Sequence, residues 1–109
     1  MSKNKKEETT NIRYKITLPA YIVYPSGQKT NTKYSHVLAD SFAGNKSRNP
    51  AKVMYWANLL VKQDYVELDK PDFEMFKKEY EALPLANLVS SYIKEQVDKA
   101  QEEHDKNTQ

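Results

Sequence analysis

The sequence predicts a small single-domain α+β fold: an N-terminal antiparallel β-hairpin over about 12–37, packed with three main α-helices over about 50–62, 70–83 and 85–101, between disordered polar termini. Three observations lead there: strict alternation near the N-terminus, one sharp Pro-Gly turn, and helical periodicity with start signals through the second half. The length of 109 residues suits one domain. Residues 1–11 carry no apolar side chain beyond Met1 and residues 102–109 carry none. Both ends are therefore expected to be disordered tails around a packed unit of 12–101.

Residues 12–18 (IRYKITL) set Ile12, Tyr14, Ile16 and Leu18 on one face and Arg13, Lys15 and Thr17 on the other, the signature of a half-buried strand. Pro19 cannot donate to a ladder, so a bulge or edge is expected there, with a slip in facing through the AYIVY run that follows. Pro25, Ser26, Gly27 and Gln28 form a turn in which Pro presets φ and Gly supplies the positive φ. The return strand, about 29–37, is expected to be an exposed edge blunted by Lys29 and Lys33.

A short helix over 37–43 is suggested by Val37, Leu38 and Phe42, with Gly44 as its stop. Asn49 followed by Pro50 reads as an N-cap with proline at the first helical position. That helix stripes Val53, Trp56, Ala57 and Leu60 toward a core. DYVELD, residues 64–69, is expected to be a connector in which Asp69 caps the next helix, Asp72 adds an acid to its first turn and Leu68 staples onto Phe73. The next helix buries Phe73, Phe76, Tyr80 and Leu83, and Pro84 ends it. The last helix has the longest periodic stripe, Leu85, Leu88, Val89, Tyr92, Ile93, Val97 and Ala100.

Composition removes several function classes. The chain has no cysteine, so neither a disulfide framework nor a thiolate metal site is available. No apolar h-region opens the sequence and no window approaches a membrane span, so a cytoplasmic protein is expected. The net charge of +2 hides an asymmetry: residues 1–56 hold ten basic and three acidic residues, residues 57–109 seven basic and twelve acidic. Such polarity marks a basic face only if the halves do not interleave their charges on folding.

Catalytic templates fail. The two histidines, His36 and His104, fall on a strand and in a tail, with no metal-ligating spacing. The acidic run Asp64, Glu67, Asp69 and Asp72 lacks the central Gly and terminal Glu of a calcium loop, and helix capping accounts for Asp69 and Asp72. Gly44 to Ser47, GNKS, lacks the spacing of a phosphate loop. The expectation is a non-enzyme with no cofactor and no metal.

Two binding surfaces remain. For nucleic acid, Lys46, Arg48 and Lys52 cluster at a loop and helix start, and Lys15, Lys29 and Lys33 with Tyr21, Tyr24 and Tyr34 supply the basic and aromatic mixture on which single strands stack. For a protein partner or self-association as a homodimer, the hairpin edge and the stripe of Leu85, Leu88, Val89, Tyr92, Ile93 and Val97 are the candidates. The leading expectation is a small intracellular interaction module, an accessory, assembly or regulatory protein of the kind frequent in mobile elements. The alternative is a nucleic-acid-binding protein using the basic hairpin and the Lys46, Arg48, Lys52 corner.

Overall fold

The computed structural model describes residues 13–107 and has the α+β class read from the sequence. In chain order the elements are β1 (Tyr14–Thr17), β2 (Tyr21–Val23), β3 (Lys29–Lys33), α1 (Tyr34–Gly44), α2 (Pro50–Gln63), β4 (Tyr65–Leu68), α3 (Lys70–Glu81) and α4 (Asn87–Asn107). The expected tail at 1–11 and the strand position of Ile12 lie outside the described residues.

The alternation at the N-terminus resolves as expected, with Tyr14, Ile16 and Leu18 buried and Arg13 and Lys15 exposed. The partner of that strand is a correction. β1 pairs not with the segment after the turn but with β4, antiparallel, with Tyr14 opposite Leu68, Lys15 opposite Glu67, Ile16 opposite Val66 and Thr17 opposite Tyr65. The reason is apolar matching: the inward face of β1 needs an equally apolar strand beside it, which Val66 and Leu68 provide and the threonines of 29–33 do not. The expected connector at 64–69 is thus largely a strand.

The hairpin itself is β2 with β3, inside the span read as 12–37, and it turns at Pro25 to Gln28. Gly27 has φ of +94°, its N–H donates to the Tyr24 carbonyl at 2.8 Å, and the Tyr24 N–H donates to the Gln28 carbonyl at 2.9 Å. The return strand stops at Lys33, not 37, because Tyr34 and Ser35 are drawn into the core at the start of α1.

Trp56, Phe73 and Phe76 form the centre of the core, with the Phe76 ring edge-on to Trp56 at 5.2 Å and to Phe42 at 5.7 Å. Asp69 caps α3 by accepting from the Asp72 N–H at 2.9 Å. Asn49 occupies the N-cap position of α2 but makes no side-chain cap; its amide donates to the Glu79 carboxylate at 3.3 Å instead.

α4 differs from its expected bounds at both ends. It begins at Asn87, leaving Leu85 in the loop after Pro84, and it continues through Asn107, so residues 102–107, expected in a disordered tail, are helical. The apolar stripe of Ile93, Val97 and Ala100 is extended one more turn by His104, whose ring stacks on Tyr14 at 3.7 Å while Phe73 stacks on the other face of Tyr14 at 4.0 Å. That three-ring stack ties the last turns of α4 to β1 and α3.

Candidate functional site

The cations singled out by the sequence do not converge on one face with their charges free. Lys52 is bound to Asp72 at 3.2 Å, across the N-termini of α2 and α3. Arg48 lines a depression shared with Glu74, Glu79 and Lys78, which makes the expected basic corner a mixed-charge surface. Lys15 stands opposite Glu67 on the β1–β4 ribbon and lies over the Tyr65 ring at 4.4 Å. Lys46 is exposed on the loop between α1 and α2, beside a cavity of about 110 Å³ lined by Phe42, Val53 and Leu83 with Asn45, Ser47 and Glu79. Tyr34, expected on an exposed strand, is only 6% exposed and stacks on Tyr92 at 3.9 Å. It is a core residue, because the chain turns helical there instead of extending the hairpin.

The stripe expected to face a partner faces the domain's own interior. Val89, Ile93 and Val97 are buried in the common core, and Leu85, Leu88 and Tyr92 are half-buried against it. α4 lies across β1, and burying both surfaces against each other uses most of the apolar area that periodicity revealed.

The large apolar side chains left exposed lie on the hairpin and on α2. β2 alternates, with Ile22 inward and Tyr21 and Val23 outward, 52% and 43% exposed; Tyr24 beside the turn is 47% exposed. Tyr21, Val23, Lys29, Thr30 and Asn31 line a shallow outward depression of about 390 Å³. A second exposed apolar set, Met54, Tyr55 and Val61 at 39 to 61%, lies on the outer side of α2 and lines none of the depressions named above.

The hairpin is held to the body by a polar lock. Asp64 terminates α2 in the left-handed conformation, φ +66°, and its carbonyl accepts the Leu18 N–H at 2.8 Å. Its carboxylate accepts from Lys33 Nζ at 2.9 Å and from the fully buried Ser35 hydroxyl at 2.9 Å. The Lys33 bond, aided by Ser35, holds the Asp64 carboxyl below its ordinary value, and the same bond holds the Lys33 ammonium above its own. Lys33 also lies over the outward Tyr21 ring at 5.6 Å, so the lock reaches the exposed surface. Burial pushes the Tyr92 hydroxyl's pKa up, and the nearby Ala20 backbone offsets part of that rise.

The remaining titratable groups are dispersed. His36 lies in the first turn of α1 and His104 near the end of α4. Among the described residues no group of three or more His, Asp or Glu side chains is placed to hold a metal ion. Of the acidic run, Asp64 is in the lock, Glu67 faces Lys15, Asp69 caps α3 and Asp72 binds Lys52.

Sequence reasoning picked out Tyr21, Tyr24 and Lys29 as surface groups, missed Val23, and named Asp64 only within the acidic run, without its partners Lys33 and Ser35. The signal for Val23 was there in the period-two reading of YIVY once β2 is treated as a new strand. Asp64 gave none, since its role depends on Lys33 and Ser35, about thirty positions away. No helix among the described residues is long and apolar enough to cross a membrane. Comparison with protein-family models, with curated proteins and with solved structures finds no match for this chain.

Proposed function

We propose that this domain is a non-enzymatic binding module, an accessory or regulatory protein that engages a protein partner through the outward face of its β2–β3 hairpin. The observation that carries the reading is that Tyr21 and Val23 line a shallow depression while left 52% and 43% exposed, with Tyr24, 47% exposed, beside them at the turn. Tyrosine is enriched in protein interfaces because it offers a large rigid surface with a polar end. The lock to Asp64 and the Tyr34 to Tyr92 stack fix the hairpin's pose, which lowers the ordering cost of binding. A cytoplasmic setting goes with this reading, in keeping with the cysteine-free composition. Nucleic acid is the weaker reading because Lys33, Lys52 and Lys15 each face a carboxylate and Tyr34 is buried.

The test is a photo-crosslinking side chain placed at Gln28, beside the surface, and for comparison at Glu95 on the exposed side of α4, in cells that express the protein. Discrete protein adducts are expected from position 28 and should disappear when Tyr21→Ser and Tyr24→Ser are combined with it. Adducts to RNA or DNA would transfer the assignment to nucleic acid, and adducts only to a second copy would make the module a homodimer. Adducts from position 95 alone would overturn the hairpin assignment.

A further inference from the structure

The register of the hairpin says more about how such a partner is held. The Tyr24 N–H donates to the Gln28 carbonyl and the Tyr34 N–H donates to the Ala20 carbonyl. These bonds flank the Val23–Lys29 and Tyr21–Lys33 pairs, which are therefore of the non-hydrogen-bonded type. In such pairs the backbone N–H and C=O point away from the neighbouring strand. Tyr21 and Val23 thus turn two N–H and two C=O groups to the outer edge of β2.

The two edges of the hairpin are unlike. On β3 the register shifts by two residues between the paired positions, and Thr30 Oγ1 closes the irregularity by donating to the Ile22 carbonyl at 2.9 Å and accepting the Thr32 N–H at 3.2 Å. A bulged strand of this kind is a poor template for another strand. β2 carries no bulge of its own, proline or charged residue, so its edge is limited only by its length of three residues between Pro19 and Pro25.

Charge selects among extended ligands. Between Arg13 and Ala39 the chain has four basic residues and no acidic one. On the hairpin itself Lys29 forms no ion pair among the described residues, and the Lys33 charge is shared with Asp64. Tyr21 and Val23 face the same side, spaced to receive alternate side chains of an added strand.

We infer that the outer edge of β2 accepts an acidic, extended peptide segment as an added strand, held by the backbone of Tyr21 and Val23, with alternate apolar side chains against those two residues and carboxylates toward Lys29. This deepens the proposed function and rests on it. Of the rival occupants, a basic extended peptide fails the charge and an amphipathic helix leaves the outward backbone groups unpaired.

A randomised twelve-residue peptide library displayed on yeast and selected against the full chain tests the idea. Enriched sequences should be acidic and alternate apolar with polar residues. Resynthesised with N-methyl groups, the best of them should lose at least tenfold in affinity when one alternate set of amides is blocked and little when the other is. Val23→Pro, which deletes an outward N–H without touching a ladder bond, should weaken binding by a similar factor, with circular dichroism confirming the fold. If that variant does not fold, the N-methyl series alone decides. Enrichment of basic or helical peptides, indifference to N-methylation at every position, or no enrichment overturns strand addition. Protein adducts at position 28 together with any of those results would leave the hairpin as a binding surface and remove only its mode.

Discussion

The helical centre and the β2–β3 hairpin put similar residue types to opposite uses. Around Trp56 and Phe76 the aromatic rings meet at edge and tilt angles, Phe73 stacks parallel on Tyr14, and all are essentially excluded from water. On the hairpin the aromatic rings of Tyr21 and Tyr24 stay half in solvent, and of β2 and β3 only Ile22 joins the core. The first arrangement concentrates stability, since buried area and dispersion contacts scale with enclosure. The second contributes little to stability and leaves contact area for another molecule, with its position secured by a few bonds at its base.

The sharpest way to break this contrast is Trp56→Ala, which should cost about 3 to 5 kcal/mol in urea denaturation. A midpoint equal to that of the parent would mean that the centre is not where stability resides. His104→Ala removes one ring of the Tyr14 stack and should cost about 0.5 to 1.5 kcal/mol from the lost ring pairing. Hydrogen exchange should then accelerate in residues 102–107 while the amides of α2 are unchanged, and uniform acceleration would show that α4's end is integral to the centre.

Smaller and more local is Asp64→Asn, which keeps the left-handed φ that Asn tolerates and removes the charge that Lys33 grips. Because the Asp64 carboxyl is held below its ordinary 3.8 in the folded state, its contribution is fully present above that value and is lost as pH falls through the lowered one. Exchange protection of the hairpin amides should therefore fall on acidification through that window in the parent, and in the variant should be lower at neutral pH and flat across it. The smallest effect on stability belongs to Tyr21→Ser with Tyr24→Ser, within about 0.5 kcal/mol for each exposed site. A large loss there would assign the two rings a folding role and erase the distinction between the regions.

How far the sequence foretold each region follows the same division. The core helices were legible because periodicity and capping are local: the stripe of Val53, Trp56, Ala57 and Leu60, the Asp69 cap and the Pro25 to Gln28 turn all stand where spacing put them. Tyr21 and Tyr24 were legible as surface groups by their place beside the turn, whereas the stripe on α4 was legible as a pattern but not as to what it faces. A periodic stripe reports that a face is apolar, and the same spacing serves a core and an interface.

By itself the sequence determined the α+β class, the alternation of β1, the helix starts at 50 and 70, and the absence of thiol chemistry, all properties set within a few residues of the chain. Tertiary structure alone decided that β1 pairs with Tyr65–Leu68, that Tyr34 turns inward, that His104 extends α4 by stacking on Tyr14, and that Asp64 locks the hairpin. Each of those joins groups about thirty to ninety positions apart. A strand's partner is chosen by which apolar face fits it best once the chain has folded back, and that competition among distant segments leaves no mark in local spacing.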